Sequence, residues 1–203
     1  FIGMIKNIIL DFGDVLINLD KPATAKAMVQ HGFTEVTPNL ESLFQNYEKG
    51  LIASSDFLDE VSEHFPNASR DYLTKAWNSI LLDFPEERLQ FIEQLAAENK
   101  YKMLLLSNTN ELHMDCVKEQ MGTERFNRFK NAFDVFYLSY EMGMRKPDAE
   151  IFNFVLEENQ LTPEETFFVD DVKENTDSAA SLGIHTWNLQ VGKEDITQLK
   201  SRL

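Results

Sequence analysis

The stretch Ile8-Ile9-Leu10-Asp11-Phe12-Gly13-Asp14 decides how this chain is read, because three successive apolar residues run straight into an acidic, glycine-containing turn. A short apolar run bounded by turn residues reads as a strand buried on both faces, the kind found in parallel sheets. Similar runs recur at Met103-Leu104-Leu105-Leu106, at Phe133 to Leu138 and at Phe167-Phe168-Val169, with a fifth candidate from His185 through Trp187 to Leu189. Helical patterns separate them. Pro85-Glu86-Glu87 opens a helix carrying Leu89, Ile92, Leu95 and Ala96 at helical spacing. Glu111 to Met121, Ala149 to Glu158 and Asn175 to Leu182 read as further helices, the last ended by Gly183. Thr162-Pro163-Glu164-Glu165 reads as a capping box on a short helical turn. Strands alternating with helices predict a three-layer α/β, Rossmann-like core around a parallel sheet.

One stretch breaks the alternation. From Pro22 to Phe84 there are helix patterns and no convincing strand: Ala23 to His31, Leu40 to Lys49, Phe57 to Phe65 and Arg70 to Ile80. Gly50 is placed to end the second of these, and Ser54 or Ser55 to cap the third. The expectation is a four-helix insertion over residues 21–84, set into a core made of residues 4–20 and 85–203.

Composition narrows the class of function. The 203 residues carry a formal net charge of -15, with 43% hydrophobic and 26% charged residues. An acidic surface repels nucleic acid, so no nucleic-acid partner is expected. No apolar run nears the roughly 20 residues that span a bilayer, so no membrane partner is expected either. Cys116 is the only cysteine, which excludes an intrachain disulfide and suits a reducing compartment, hence a cytoplasmic location. Met4 reads as the natural start, with Phe1 to Gly3 as an added remnant.

In open parallel sheets, ligands sit beyond the carboxyl ends of the strands. The first strand ends there at Asp11, the second at Ser107-Asn108 and the fourth at Asp170-Asp171, while Arg145-Lys146-Pro147-Asp148 follows the third. Folding would gather three carboxylates, a hydroxyl and a cation at one sheet edge. Close carboxylates disfavour joint ionisation unless a cation joins them. Hard oxygen ligands suit Mg²⁺, which commonly bridges carboxylates and a substrate phosphate. A Lys can balance the charge of a transferring phosphoryl group, a Ser can donate to its oxygens, and an Asp can accept it covalently.

The ordered set Ile9-Leu10-Asp11-Phe12-Gly13-Asp14-Val15-Leu16, Leu105-Leu106-Ser107-Asn108, Lys146-Pro147 and Val169-Asp170-Asp171 resembles the four motifs of the haloacid dehalogenase superfamily. The helical insertion resembles that superfamily's C1-type cap. Tyr47-Glu48-Lys49-Gly50 with Ile52 and Phe57 resembles a cap segment of its sugar-phosphatase and epoxide-hydrolase branches. The resemblance implies a Mg²⁺-dependent phosphatase acting on a small phosphorylated metabolite, a sugar phosphate among the candidates. It implies Asp11 as nucleophile and metal ligand, and the Gly13 carbonyl as a further ligand. Asp171 would be a direct ligand and Asp170 a partner through water. Ser107 and Lys146 would hold the phosphoryl group, Asn108 would contact the substrate or orient its loop, and Asn175 would support the turn after the acidic pair.

One position departs from the pattern. Phosphatases of the superfamily usually carry an acid two residues after the nucleophile, and here that residue is Gly13. Another acid or water could serve, and Asp14 next door could help, although a turn-stabilising role suits it better. Two other readings stay open: a metal-independent 2-haloacid dehalogenase, whose halide needs no proton to leave, and a catalytically weak binding or regulatory protein. His31, His64, His113 and His185 lack metal-ligand spacing and read as surface or structural. Cys116 reads as a packing residue. Phe44, Tyr47 and Trp77 are candidates to face the site from the insertion, and Arg145 is either a substrate contact or part of an ion pair.

Overall fold

In the computed structural model, which describes residues 4–203, five parallel strands form one sheet in the order β3-β2-β1-β4-β5. They are β1 (Asn7–Leu10), β2 (Lys102–Ser107), β3 (Val135–Leu138), β4 (Thr166–Asp170) and β5 (His185–Asn188). The remnant expected at Phe1 to Gly3 lies outside the described residues.

Successive strand residues face opposite sides of a sheet, and the packing follows that alternation. Ile8, Leu10, Met103, Leu105, Phe167 and Val169 enter one core. It is covered by α5 (Glu86–Ala97) and α6 (Glu111–Asn131), with a terminal 3-10 helix (Ile196–Arg202) at its margin. Ile9, Leu104, Leu106 and Phe168 enter the other core, covered by α8 (Ala149–Glu158) and α9 (Lys173–Ser181), and the short α7 (Ser139–Met142) follows β3 directly. The sheet is therefore the middle of three layers. Because both faces are buried, the strands read as unbroken apolar runs.

Between β1 and α5 lie α1 (Ala23–Met28), which continues as a 3-10 turn (Val29–His31), then α2 (Pro38–Glu48), α3 (Ser54–His64) and α4 (Arg70–Asn78). These helices have a core of their own around Leu40, Leu43, Tyr47, Phe57 and Leu73. The segment touches the strand-rich part by an isolated antiparallel bridge between Leu19 and Leu81. Gly50 ends the turn after α2 with φ +70, and any Cβ there would run into the Tyr140 carbonyl oxygen. Only glycine accepts both conditions cheaply.

Two expected caps are not formed. Ala53, not a serine, precedes α3, and the Ser54 hydroxyl instead meets the Tyr47 hydroxyl (2.7 Å) and donates to Glu111 (2.8 Å). Thr162 makes no side-chain cap on the Pro163–Glu165 turn. Its carbonyl accepts from the Glu165 N–H and the Thr166 hydroxyl. For Ser54 a tertiary partner, Glu111, outcompetes the local bond. The helix from Glu111 also runs past Met121 to Asn131, with a break at Gly122 (φ 77), a conformation in which glycine carries little penalty.

Candidate active site

At the carboxyl ends of β1, β2 and β4, the side chains of Asp11, Ser107 and Asp170 are all buried. Lys146, 1% exposed on the loop between β3 and α8, reaches into the gap. Its Nζ donates to Asp11 Oδ1 (2.9 Å), Asp170 Oδ2 (2.8 Å) and the Leu106 carbonyl (2.7 Å). Each of its three protons thus has an acceptor. Asn108 holds the lysine's backbone from both sides: its Nδ2 donates to the Lys146 carbonyl (2.8 Å), and its Oδ1 accepts from the Lys146 N–H (2.9 Å). Of the two roles expected for Asn108, the geometry displays the loop-orienting one.

Asp170 is held by three donors. It accepts from Lys146, from the Val172 N–H (2.8 Å) and from Asn175 Nδ2 (3.1 Å), which places Asn175 where a turn-supporting role was expected. Asp171 is held differently, by Lys21 Nζ at 2.7 Å. Lys21 also lies 3.6 Å from Asp14. Asp14 sits at φ 59, and its Oδ1 accepts from the Leu19 N–H (3.0 Å), as suits a turn residue. Lys21 was not picked out from the sequence, because its partner Asp171 is 150 residues away and no motif joins them.

The electrostatics favour a cation. Burial, then repulsion from Asp170, push the Asp11 carboxyl well above the ordinary carboxylate range, and Lys146 opposes this without cancelling it. Burial works to discharge Lys146, but Asp11 and Asp170 outweigh it and raise its pKa. Two ammonium groups, Lys21 and Lys146, face four carboxylates, Asp11, Asp14, Asp170 and Asp171. A divalent ion would restore neutrality. Oxygens of Asp11, Asp170 and Asp171 lie within 4.8 Å of one another. An all-oxygen set of that size suits Mg²⁺.

Other expected site residues fall outside this cluster. Arg145 pairs with Glu48 (2.9 Å), tying the β3–α8 loop to α2. Tyr47 is buried against Phe57 (ring centroids 4.0 Å apart) and accepts from the Leu112 N–H, so it serves as packing. Phe44 and Trp77 do line a cavity beside the site. His113 is enclosed between Asn110 and the Trp77 carbonyl, a structural position. Cys116 is partly buried, and burial raises its thiol pKa, which leaves it a poor nucleophile.

The haloacid dehalogenase-like hydrolase family matches this chain over residues 5–183. The chain belongs to that family. Among its relatives, the D-ribitol-5-phosphate phosphatase of Bacteroides thetaiotaomicron is 29% identical over 197 residues, covering 94% of this chain and 95% of that one. A haloacid dehalogenase family enzyme of Bacteroides thetaiotaomicron, crystallised as a magnesium complex, superposes with a TM-score of 0.84 at 37% identity, over 94% of this chain and 96% of the other. The same enzyme, wild type with magnesium and inorganic phosphate, gives 0.80 at 37% identity and the same coverage. The hydrolase fold seen here is therefore one that carries magnesium and phosphate in a similar protein.

Proposed function

We propose that this haloacid dehalogenase-like hydrolase is a Mg²⁺-dependent phosphatase that cleaves a small phosphorylated metabolite through an aspartyl-phosphate on Asp11. The observation that carries the reading is Lys146, buried and bound at once to Asp11 and Asp170 at the edge of a three-carboxylate oxygen cluster. The relative named D-ribitol-5-phosphate phosphatase and the magnesium and phosphate complexes of a similar enzyme support it.

In the proposed reaction, Asp11 attacks phosphorus in line while Ser107 and Lys146 hold the phosphoryl oxygens. The bond from phosphorus to the alcohol oxygen breaks as the bond to Asp11 forms, and the departing alkoxide takes a proton from water. A second water then attacks phosphorus, the Asp11 carboxylate leaves, and phosphate is released with the water's proton passing to solvent. Asp11, the Gly13 carbonyl and Asp171 would hold Mg²⁺, with Asp170 behind them, and the ion would offset phosphoryl charge. The three donors that hold Asp170, from Lys146, Val172 and Asn175, support that division between the two acids.

Residues 21–84 act in this proposal as a cap that closes over a core of residues 4–20 and 85–203, excluding bulk water from the ester. A reducing, cytoplasmic setting is part of the same reading and rests on the single Cys116. A metal-free dehalogenase would have no use for Asp171. A binding scaffold would have no reason to bury charges that cost stability unless paired.

The test is acid quench of the protein during turnover of a phosphate ester with Mg²⁺, followed by mass spectrometry. A phosphoryl group on the peptide spanning Asp11, absent in Asp11→Asn, is expected. Phosphate release with the label on another residue would refute the assignment.

A further inference from the structure

Beside the acidic cluster opens a cavity of about 330 Å³ that Asp11, Lys146 and Asp171 do not line. It begins at Lys21 and Asn108 and runs between the inserted helices. Its wall is Met28, Phe44, Phe57, Leu58, Val61 and Trp77. Most of the polar side chains that share this wall are already engaged with the protein, Lys21 with Asp171 and Glu48 with Arg145 among them. The Thr24 hydroxyl donates to the Ala76 carbonyl (2.7 Å), and Trp77 Nε1 donates to Asn110 Oδ1 (3.1 Å). Asn110 Nδ2 and His113 Nδ1 bond each other, while His113 Nε2 meets the Trp77 carbonyl (2.9 Å). Asn108 is committed to the Lys146 backbone on both sides.

A polyol seated here would surrender its water and find few partners, and unpaired hydroxyls in apolar surroundings are costly. A hydrocarbon group would lose nothing and bury apolar surface. On the phosphatase reading above, on which this rests, we infer that the preferred substrate is the phosphate monoester of an apolar alcohol, whose hydrocarbon part fills this cavity while its phosphate meets Asp11 and Lys146. At about 30 Å³ for each water-sized group, the cavity has room for roughly ten. The inferred alcohol therefore differs from the polyol in the name of the relative from Bacteroides thetaiotaomicron.

The experiment compares primary esters, so that the leaving oxygen stays constant: methyl, propyl and hexyl phosphate against a pentitol 5-phosphate, all with Mg²⁺. Each methylene buried is expected to raise kcat/KM by about two- to fourfold, so hexyl phosphate should exceed propyl phosphate by about tenfold or more. Filling the cavity from two different helices, with Ala25→Leu or Val61→Phe, should lower the hexyl-to-methyl ratio by about tenfold, a ratio that loss of folded protein would not change. Turnover of the pentitol ester equal to or better than that of hexyl phosphate would overturn the inference and leave the phosphatase reading standing. Release of phosphate from none of the esters would instead sink that reading. Binding of methyl, propyl and hexyl phosphonate, followed by Trp77 fluorescence, decides the cavity's role independently of turnover. Affinity that climbs with chain length supports it, and affinity indifferent to chain length overturns it.

Discussion

At position 13 no side chain can hand a proton to the departing oxygen, and the space beside it is filled by packing: a Cβ on Gly13 would lie 2.7 Å from Leu19 Cδ1. Asp14 does not fill the role, since it is turned to the Leu19 N–H and toward Lys21. Turnover should therefore depend steeply on how readily the oxygen leaves without help, with aryl and acyl phosphates cleaved faster than alkyl esters of equal fit. Gly13→Asp meets only the far end of a flexible leucine, so it is expected to be accommodated. It should speed alkyl esters by about 10²-fold, the low end of general acid catalysis, and change aryl esters little. Rates on matched alkyl and aryl esters check this, and an equal effect on both would show that proton delivery at position 13 does not limit the reaction. The cluster of Asp11, Ser107, Lys146 and Asp170 was legible in the sequence because each stands at or near a strand's carboxyl end. Lys21 was not, because nothing local in a chain announces an ion pair formed across 150 residues.

Among the elements, α4 and α6 share the joint that matters most for the insertion. Trp77 of α4 stacks on His113 of α6 (ring centroids 4.9 Å), and the Asn110 N-cap of α6 accepts from both the Trp77 indole and the His113 N–H. Burial pushes the His113 imidazole down to about 4, so it stays neutral in the folded protein. An unfolded chain takes up that proton below about pH 6.5. Between about 6.5 and 4 the unfolded state therefore binds more protons, and stability falls as pH falls through that window, then levels off. The full effect is roughly 3 kcal/mol. Urea midpoints across this range should show the slope in the wild type and a flatter line for His113→Gln; parallel lines would contradict the account. Elements with one strong period or one apolar run were foreseeable within a few residues, among them β1, β2, β4 and α8. The missing Ser54 cap was not, since Glu111, 57 residues away, claimed that hydroxyl. The extension of α6 beyond Gly122 was hidden by a glycine that ordinarily signals an end.

For the molecule as a whole, the three-layer core fixes the phosphate chemistry at one sheet edge, and the inserted helices supply the wall that a substrate's other half must meet. Besides the Trp77–His113 joint, polar ties link them to the core: Lys21 to Asp171, Glu48 to Arg145, and the Ser139 hydroxyl to the Glu48 carbonyl (2.6 Å). Surface ion pairs of this kind are individually weak, which suits the cap role proposed above, in which they would break and re-form. The sequence order of the motifs foretold the layers and the site, whereas the cavity's shape arises from side chains on several helices that no motif links. The central claim is tested most directly by measuring phosphate release from an alkyl phosphate by wild type and Asp11→Asn, each with Mg²⁺ and with EDTA. Release by the wild type that vanishes with EDTA and falls by at least about 10³-fold in Asp11→Asn is the predicted result. Equal release with EDTA, or full activity in Asp11→Asn, would contradict it.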